Sequence, residues 1–194
     1  MSGKKIDNLT ITLCENTSPD LEKLINNAMS FYYKPESKVR RTDVIENGLK
    51  NMVERKEVYT AFYENKLVGC VDCKMVDGVV FLGMLCVDKM YNNLGIGTAL
   101  VRFIENMFPE NSKFGLDVLY HKDLEIGDML MAWYHKLGYE IVKTENCYDS
   151  YVVYEEIKAV VGFERFLGVE YKSVVDQVYR FTYDSIIMEK IVKR

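Results

Sequence analysis

Apolar and polar residues alternate along Leu9-Thr10-Ile11-Thr12-Leu13, the pattern of a strand with one face in a core. Ser18-Pro19-Asp20-Leu21-Glu22 then combines a serine cap, a proline at the first helical position and early acids. These predict a helix running to about Tyr33. Thr42-Asp43 opens a second helix whose apolar positions are Val44, Ile45, Leu49, Met52 and Val53. Val58 to Tyr63 and Lys66 to Val76 read as strands joined by a Glu64-Asn65 turn. Asp77-Gly78 is a two-residue hairpin signal leading into a further apolar run, 79–87. Thr98 to Met107 follows as a helix with Ala99, Leu100, Phe103 and Ile104 on one face, and Lys113 to Tyr120 as a strand. Met129, Leu130, Trp133 and Leu137 form the stripe of another helix, closed by Gly138 as its C′ residue, before a strand from Tyr139 to Lys143.

Beyond residue 144 the periodicity is weaker. Asp184 to Lys190 suits a closing strand. Lys172 to Phe181 reads as a helix, and residues 151–170 as a helix or helix-turn. The expectation is one domain, 1–194, with a local helical insertion at about 146–182 that is too short to bury a core of its own. Such an insertion would cover a substrate cleft or mediate a homodimer.

Composition bounds the function. A chain of 194 residues, 48% hydrophobic, can bury one good core. A net charge of −4 argues against a nucleic-acid surface. No run of 18 apolar residues is present to span a membrane. The start, Met1-Ser2-Gly3-Lys4-Lys5, leads into mixed polar residues, not an apolar signal core. Five cysteines, an odd number, do not read as a disulfide framework, so a reducing, cytoplasmic setting is expected.

The chemistry concentrates between Gly83 and Leu100. There an apolar strand ends, a short polar segment carries Gly95 and Gly97, and an apolar-periodic helix starts at once. The first N–H groups of that helix have no intrahelical partner and lie at its positive dipole end, an arrangement that binds phosphates. The dinucleotide fingerprint requires a third glycine where Leu100 stands, and the P-loop requires Lys-Ser/Thr where Thr98-Ala99 follows Gly97. Both are rejected. In such a turn the binding geometry comes from backbone N–H groups and not from a basic side chain.

Asn92-Asn93-Leu94-Gly95-Ile96-Gly97 resembles the Gln/Arg-x-x-Gly-x-Gly/Ala acyl-CoA motif of the GNAT N-acetyltransferase superfamily, with Asn92 standing where Gln or Arg is usual. Further on, Met131-Ala132-Trp133-Tyr134-His135-Lys136-Leu137-Gly138-Tyr139 resembles the family's aromatic-Tyr-x-Lys-x-Gly-aromatic signature. The resemblance implies an α/β fold with a mixed, mostly antiparallel sheet of six or seven strands, parting after residue 87 to admit acetyl-CoA. It places the pantetheine arm along Leu85, Cys86 and Val87, and the phosphates on Asn92, Asn93, Leu94, Gly95, Ile96, Gly97 and Thr98. It makes Tyr134 the acid that protonates the departing thiolate; read from the residues alone, Tyr134 is a core tyrosine beside an apolar stripe. Two departures stand out. Gly127 and Leu130 occupy positions where the family often has Asn and Ala, and Phe81 occupies the position of a strand glutamate that serves many relatives as base.

Asp72, Asp117 and His121 are then the candidates for a base, each with a structural reading beside it. Cys70-Val71-Asp72-Cys73 is a Cys-x-x-Cys on a strand, which sends the two thiols to opposite faces and argues against a metal or redox role. Cys86 has no evident histidine partner and reads as packing. With two histidines and no His-Glu-x-x-His, zinc hydrolysis is excluded. A basic, aromatic patch (Phe31, Tyr32, Tyr33, Lys34, Lys38, Arg40, Arg41) either borders the acceptor site or is a solvated connection. The leading expectation is acetyl transfer from acetyl-CoA to an amine, on a small molecule. Beside it stand a protein lysine or N-terminus as acceptor, and a non-catalytic acyl-CoA-binding module.

Overall fold

The computed structural model describes residues 6–29, 48–120, 125–153 and 177–193. A seven-stranded sheet runs in the order β1-β2-β3-β4-β5-β7-β6. Its strands are β1 (Leu9–Leu13), β2 (Val58–Tyr63), β3 (Lys66–Val76), β4 (Val79–Val87), β5 (Lys113–Tyr120), β6 (Glu140–Val153) and β7 (Gln177–Ile191). The pairing of β4 with β5 is parallel and every other pairing is antiparallel. Glu64, Asn65, Asp77 and Gly78 all have positive φ, as the two tight hairpins require.

Helices cover both faces. α3 (Ile96–Met107) and α4 (Glu125–Leu137) pack on one side, where Ile96, Leu100, Ile104, Tyr134 and Leu137 meet Val68, Val71, Leu82, Phe114 and Leu116. α1 (Pro19–Met29) and α2 (Lys50–Glu54) pack on the other, where Leu21, Leu24, Ile25, Leu49 and Val53 meet Val58, Cys70 and Cys86. Covered on both faces, β3 is buried without interruption from Val68 to Cys73, and so loses the alternation of a half-exposed strand. Cys70 and Cys73 fall in the two separate clusters, on opposite faces as expected. The serine at the start of α1 acts as its cap: Leu21 N donates to Ser18 Oγ at 3.2 Å.

A buried charge cluster ties α3 to the far side of the sheet. Glu105, 2% exposed, accepts hydrogen bonds from Arg102, from Tyr139 Oη at 3.1 Å and from Lys190 Nζ at 2.9 Å. Burial pushes the Tyr139 hydroxyl far above its ordinary range, and the Glu105 carboxylate adds to the shift.

Three expectations need correction. The helical reading of 146–182 fails on both described flanks, because β6 and β7 form a long antiparallel hairpin, paired from Glu140↔Glu189 to Val153↔Gln177. Tyr151-Val152-Val153 and Val178-Tyr179 are β-branched and aromatic, residues that favour a pleated surface once a partner strand is present. α3 begins at Ile96, two residues before the expected Thr98, because Gly95 takes the N-cap position. The sheet parts well before residue 87: the last β4–β5 pair is Leu82↔Leu116. The continuation of α1 past Met29, the start of the second helix, the basic aromatic patch, His121 and residues 154–176 lie outside the described residues.

Candidate active site

The site is built on β4 after its parallel neighbour leaves it. From Gly83 to Val87 the strand stays paired with β3, through Cys70↔Cys86 and Gly69↔Val87, while no β5 residue pairs with it. Among the described residues its second backbone edge is therefore unpaired. Within the same stretch the register shifts, with Asp72 opposite Gly83 but Cys70 opposite Cys86. One extra β4 residue is accommodated by a bulge at which Met84 has φ +45°. The Met84 carbonyl accepts from Cys70 Sγ at 3.7 Å, so the thiol on the neighbouring strand supports the bulge.

β4 leads straight into the turn before α3. Asp88 Oδ1 accepts from Met90 N at 2.9 Å and caps a short 3₁₀ turn, Lys89–Tyr91. Asn93 and Gly95 both have positive φ, and Gly95 supplies no side-chain cap to the helix. Ala99 N makes the first intrahelical bond, to Gly95 O at 2.9 Å. The N–H groups of Ile96, Gly97 and Thr98 consequently have no partner within the helix. Together with the dipole they form a positive, uncapped helix end beside the free edge of β4.

α4 closes the third side. A β-carbon at Gly97 would lie 3.5 Å from the Trp133 indole and 3.7 Å from Val87 Cγ2. Positions far apart in sequence thus meet at one point. Tyr134 is 8% exposed, tilted against Trp133 at 4.7 Å and edge-on at 5.8 Å to Tyr139. A β-carbon at Gly127 would sit 2.6 Å from Tyr120 Cδ2. The Tyr120 ring fills that space, which accounts for glycine where relatives carry Asn.

Among the residues picked from sequence, Leu85, Val87, Ile96, Gly97 and Tyr134 all belong to or pack against the α3/α4 face. Cys86 is buried on the opposite face beside Cys70, and Leu94 stands exposed in the turn. Cys14, Cys70, Cys73 and Cys86 are free thiols, and no group of three or more possible metal ligands occurs among the described residues. Of the candidate bases, Asp117 is the first β5 residue past the last β4–β5 pair and accepts from Ser185 Oγ at 2.7 Å. Asp72 is 5% exposed on β3, and burial pushes its carboxyl up to about 6, with Lys74 and Arg55 pulling it down and Glu57 pushing it up. The bulge and the role of Trp133 were not legible beforehand; a glycine inside a strand, Gly83, was the one local sign of the bulge.

The acetyltransferase (GNAT) family model matches residues 21–139, and the chain belongs to that family: it is an acyltransferase. Solved structures share the fold. A GNAT family acetyltransferase from Elizabethkingia anophelis with acetyl-CoA bound is 16% identical at a TM-score of 0.58, covering 96% of this chain and 100% of its own. Arabidopsis thaliana Naa50, in complex with the bisubstrate analogue CoA-Ac-MVNAL, is 17% identical at 0.53, covering 95% and 99%. An aminoglycoside 6′-N-acetyltransferase complexed with coenzyme A is 17% identical at 0.54, covering 95% and 98%. No curated protein sequence matches the chain.

Proposed function

We propose that this chain transfers the acetyl group of acetyl-CoA to an amine carried on a small molecule, with Tyr134 as the acid that protonates the leaving thiolate. One observation carries the reading: a strand with a free backbone edge runs directly into an uncapped helix N-terminus. The ligand that matches has an extended arm with amides at one end and a pyrophosphate at the other. The arm pairs with β4 at Leu85, Cys86 and Val87 as an added strand. The phosphates sit on the N–H groups from Asn93 to Thr98. The Met84 bulge turns backbone groups out of the ladder where the thioester carbonyl arrives, and an N–H there stabilises the oxyanion formed on attack.

Gly97 supports the phosphate assignment. A β-carbon there would make only ordinary contacts, so the fold itself does not require glycine. Close approach of a ligand does. An acceptor of small-molecule size agrees with a cleft of about 450 Å³ between α1 and the ends of β3 and β4, lined by Leu24, Asn27, Leu67 and Val87 among others.

The test is thermal unfolding with acetyl-CoA, with NADH and ATP as controls. At about 100 times its dissociation constant acetyl-CoA adds about 2.7 kcal/mol, a shift of roughly 5–10 °C for a chain this long. Gly97→Ala is expected to fold at least as stably, since alanine favours helix, yet to lose most of that shift. Tyr134→Phe should keep the shift and lose turnover. Equal stabilisation by all three nucleotides, or none by acetyl-CoA, removes the reading.

A further inference from the structure

The amine enters as an ammonium ion and attacks only after losing a proton, and the strand position that supplies a glutamate in many relatives holds Phe81 here. Phe81 and Gly83 lie on the α1/α2 side of β4, the side to which Met84 also packs. Gly83 leaves a gap on that side, directly before the bulge. Asp72, its partner across the β3–β4 ladder, fills the gap: its Oδ1 lies 2.6 Å from where a β-carbon on Gly83 would stand. The carboxylate missing from β4 is thus replaced by one reaching over from β3. We infer that Asp72 takes the proton from the acceptor ammonium beside Gly83, as the general base of the transfer.

This assignment rests on the acetyltransferase reading above. Asp72 removes one ammonium proton, and the freed lone pair forms the N–C bond to the thioester carbonyl. The C–S bond then breaks with its electron pair on sulfur. Tyr134 protonates the thiolate and is reprotonated by the second nitrogen proton, while the proton on Asp72 leaves to solvent.

Asp72 suits this step better than Asp117. Asp117 is exposed, and its carboxylate is already engaged by the Ser185 hydroxyl. Asp72 is desolvated, and a carboxyl raised toward 6 lies nearer in basicity to an alkylamine while still ionised above neutral pH. The titratable and charged groups around it are Lys74 and Cys70 on β3, Glu57 before β2 and Arg55 after α2, with the neighbouring Cys73 on the opposite face.

The experiment measures thiol release from acetyl-CoA, over an enzyme-free control, with a panel of primary alkylamines and with hydroxylamine. The latter is compared only at pH about 7 and above, where it is neutral and needs no base. The chain is compared with Asp72→Asn from pH about 5 to about 9. For alkylamines, Asp72→Asn is expected to lower kcat/KM by roughly 10²- to 10⁴-fold and to remove an acidic limb near 6. With hydroxylamine the rate should change little, and acetyl-CoA should stabilise both proteins equally. Alkylamine turnover in Asp72→Asn with an unchanged pH profile overturns the assignment and leaves the transferase intact. A parent chain that acetylates no amine overturns both. Should Asp72→Asn not fold, the parent profile decides: an acidic limb near 6 is required, and a flat profile overturns the assignment.

Discussion

Two carboxylates are buried among the described residues, one on each face of the sheet, and they are treated in opposite ways. Glu105, on the α3/α4 face, is met by Arg102, Tyr139 and Lys190. Asp72, on the α1/α2 face, is set against a glycine gap, and burial lifts its carboxyl to about 6. A buried charge surrounded by donors locks elements together. One held in a desolvated site and left basic lowers stability. On the assignment proposed above, the first carboxylate is scaffold and the second serves the acceptor.

Removing the locked charge gives the largest effect. Glu105→Ala leaves the half-buried Lys190 without its anion and should cost about 3 kcal/mol in urea unfolding. Removing the unlocked charge should act in the reverse direction. The folded carboxyl of Asp72 titrates near 6 against 3.8 ordinarily, so protonation is favoured by folding. Its penalty is absent at low pH, grows as pH rises from about 4 to about 6 and is constant above. Asp72→Asn should therefore gain stability at pH 7–8 by at most roughly 3 kcal/mol, a gain that vanishes near pH 4. Destabilisation by Asp72→Asn at neutral pH would erase the contrast between the faces. The smallest effect belongs to the turn: Gly95→Ala, at φ +84°, should cost about 1–2 kcal/mol in thermal unfolding and weaken acetyl-CoA stabilisation as the turn shifts.

Much of the scaffold is written in local patterns. Apolar runs and turn chemistry mark β2, β3 and β4 to the residue, because Glu64-Asn65 and Asp77-Gly78 permit few backbones besides tight hairpins. The β4–α3 turn is legible for the same reason: Gly95 is needed for its positive φ. The β6–β7 hairpin is not. Its pairing joins residues as distant as Glu140 and Glu189, and valine-rich segments read as helix until a partner strand exists. The site divides in the same manner. Tyr134 and the glycines are carried by motifs, whereas the Met84 bulge, the approach of Trp133 to Gly97 and the reach of Asp72 into the Gly83 gap depend on register between strands.

The early parting of β4 and β5 has one more consequence. A free strand edge usually sits at the rim of a sheet, where it invites pairing with other chains. Here it lies inside a notch, between two strands of one sheet and beneath helices on both faces. A strand from another protein carries side chains alternately to both faces and would collide with those helices. A narrow arm with amides and no side chains alternating to both faces would not. The notch thus keeps an exposed edge from becoming a site of aggregation, and filters its occupants by width before any atom of the reacting group is recognised.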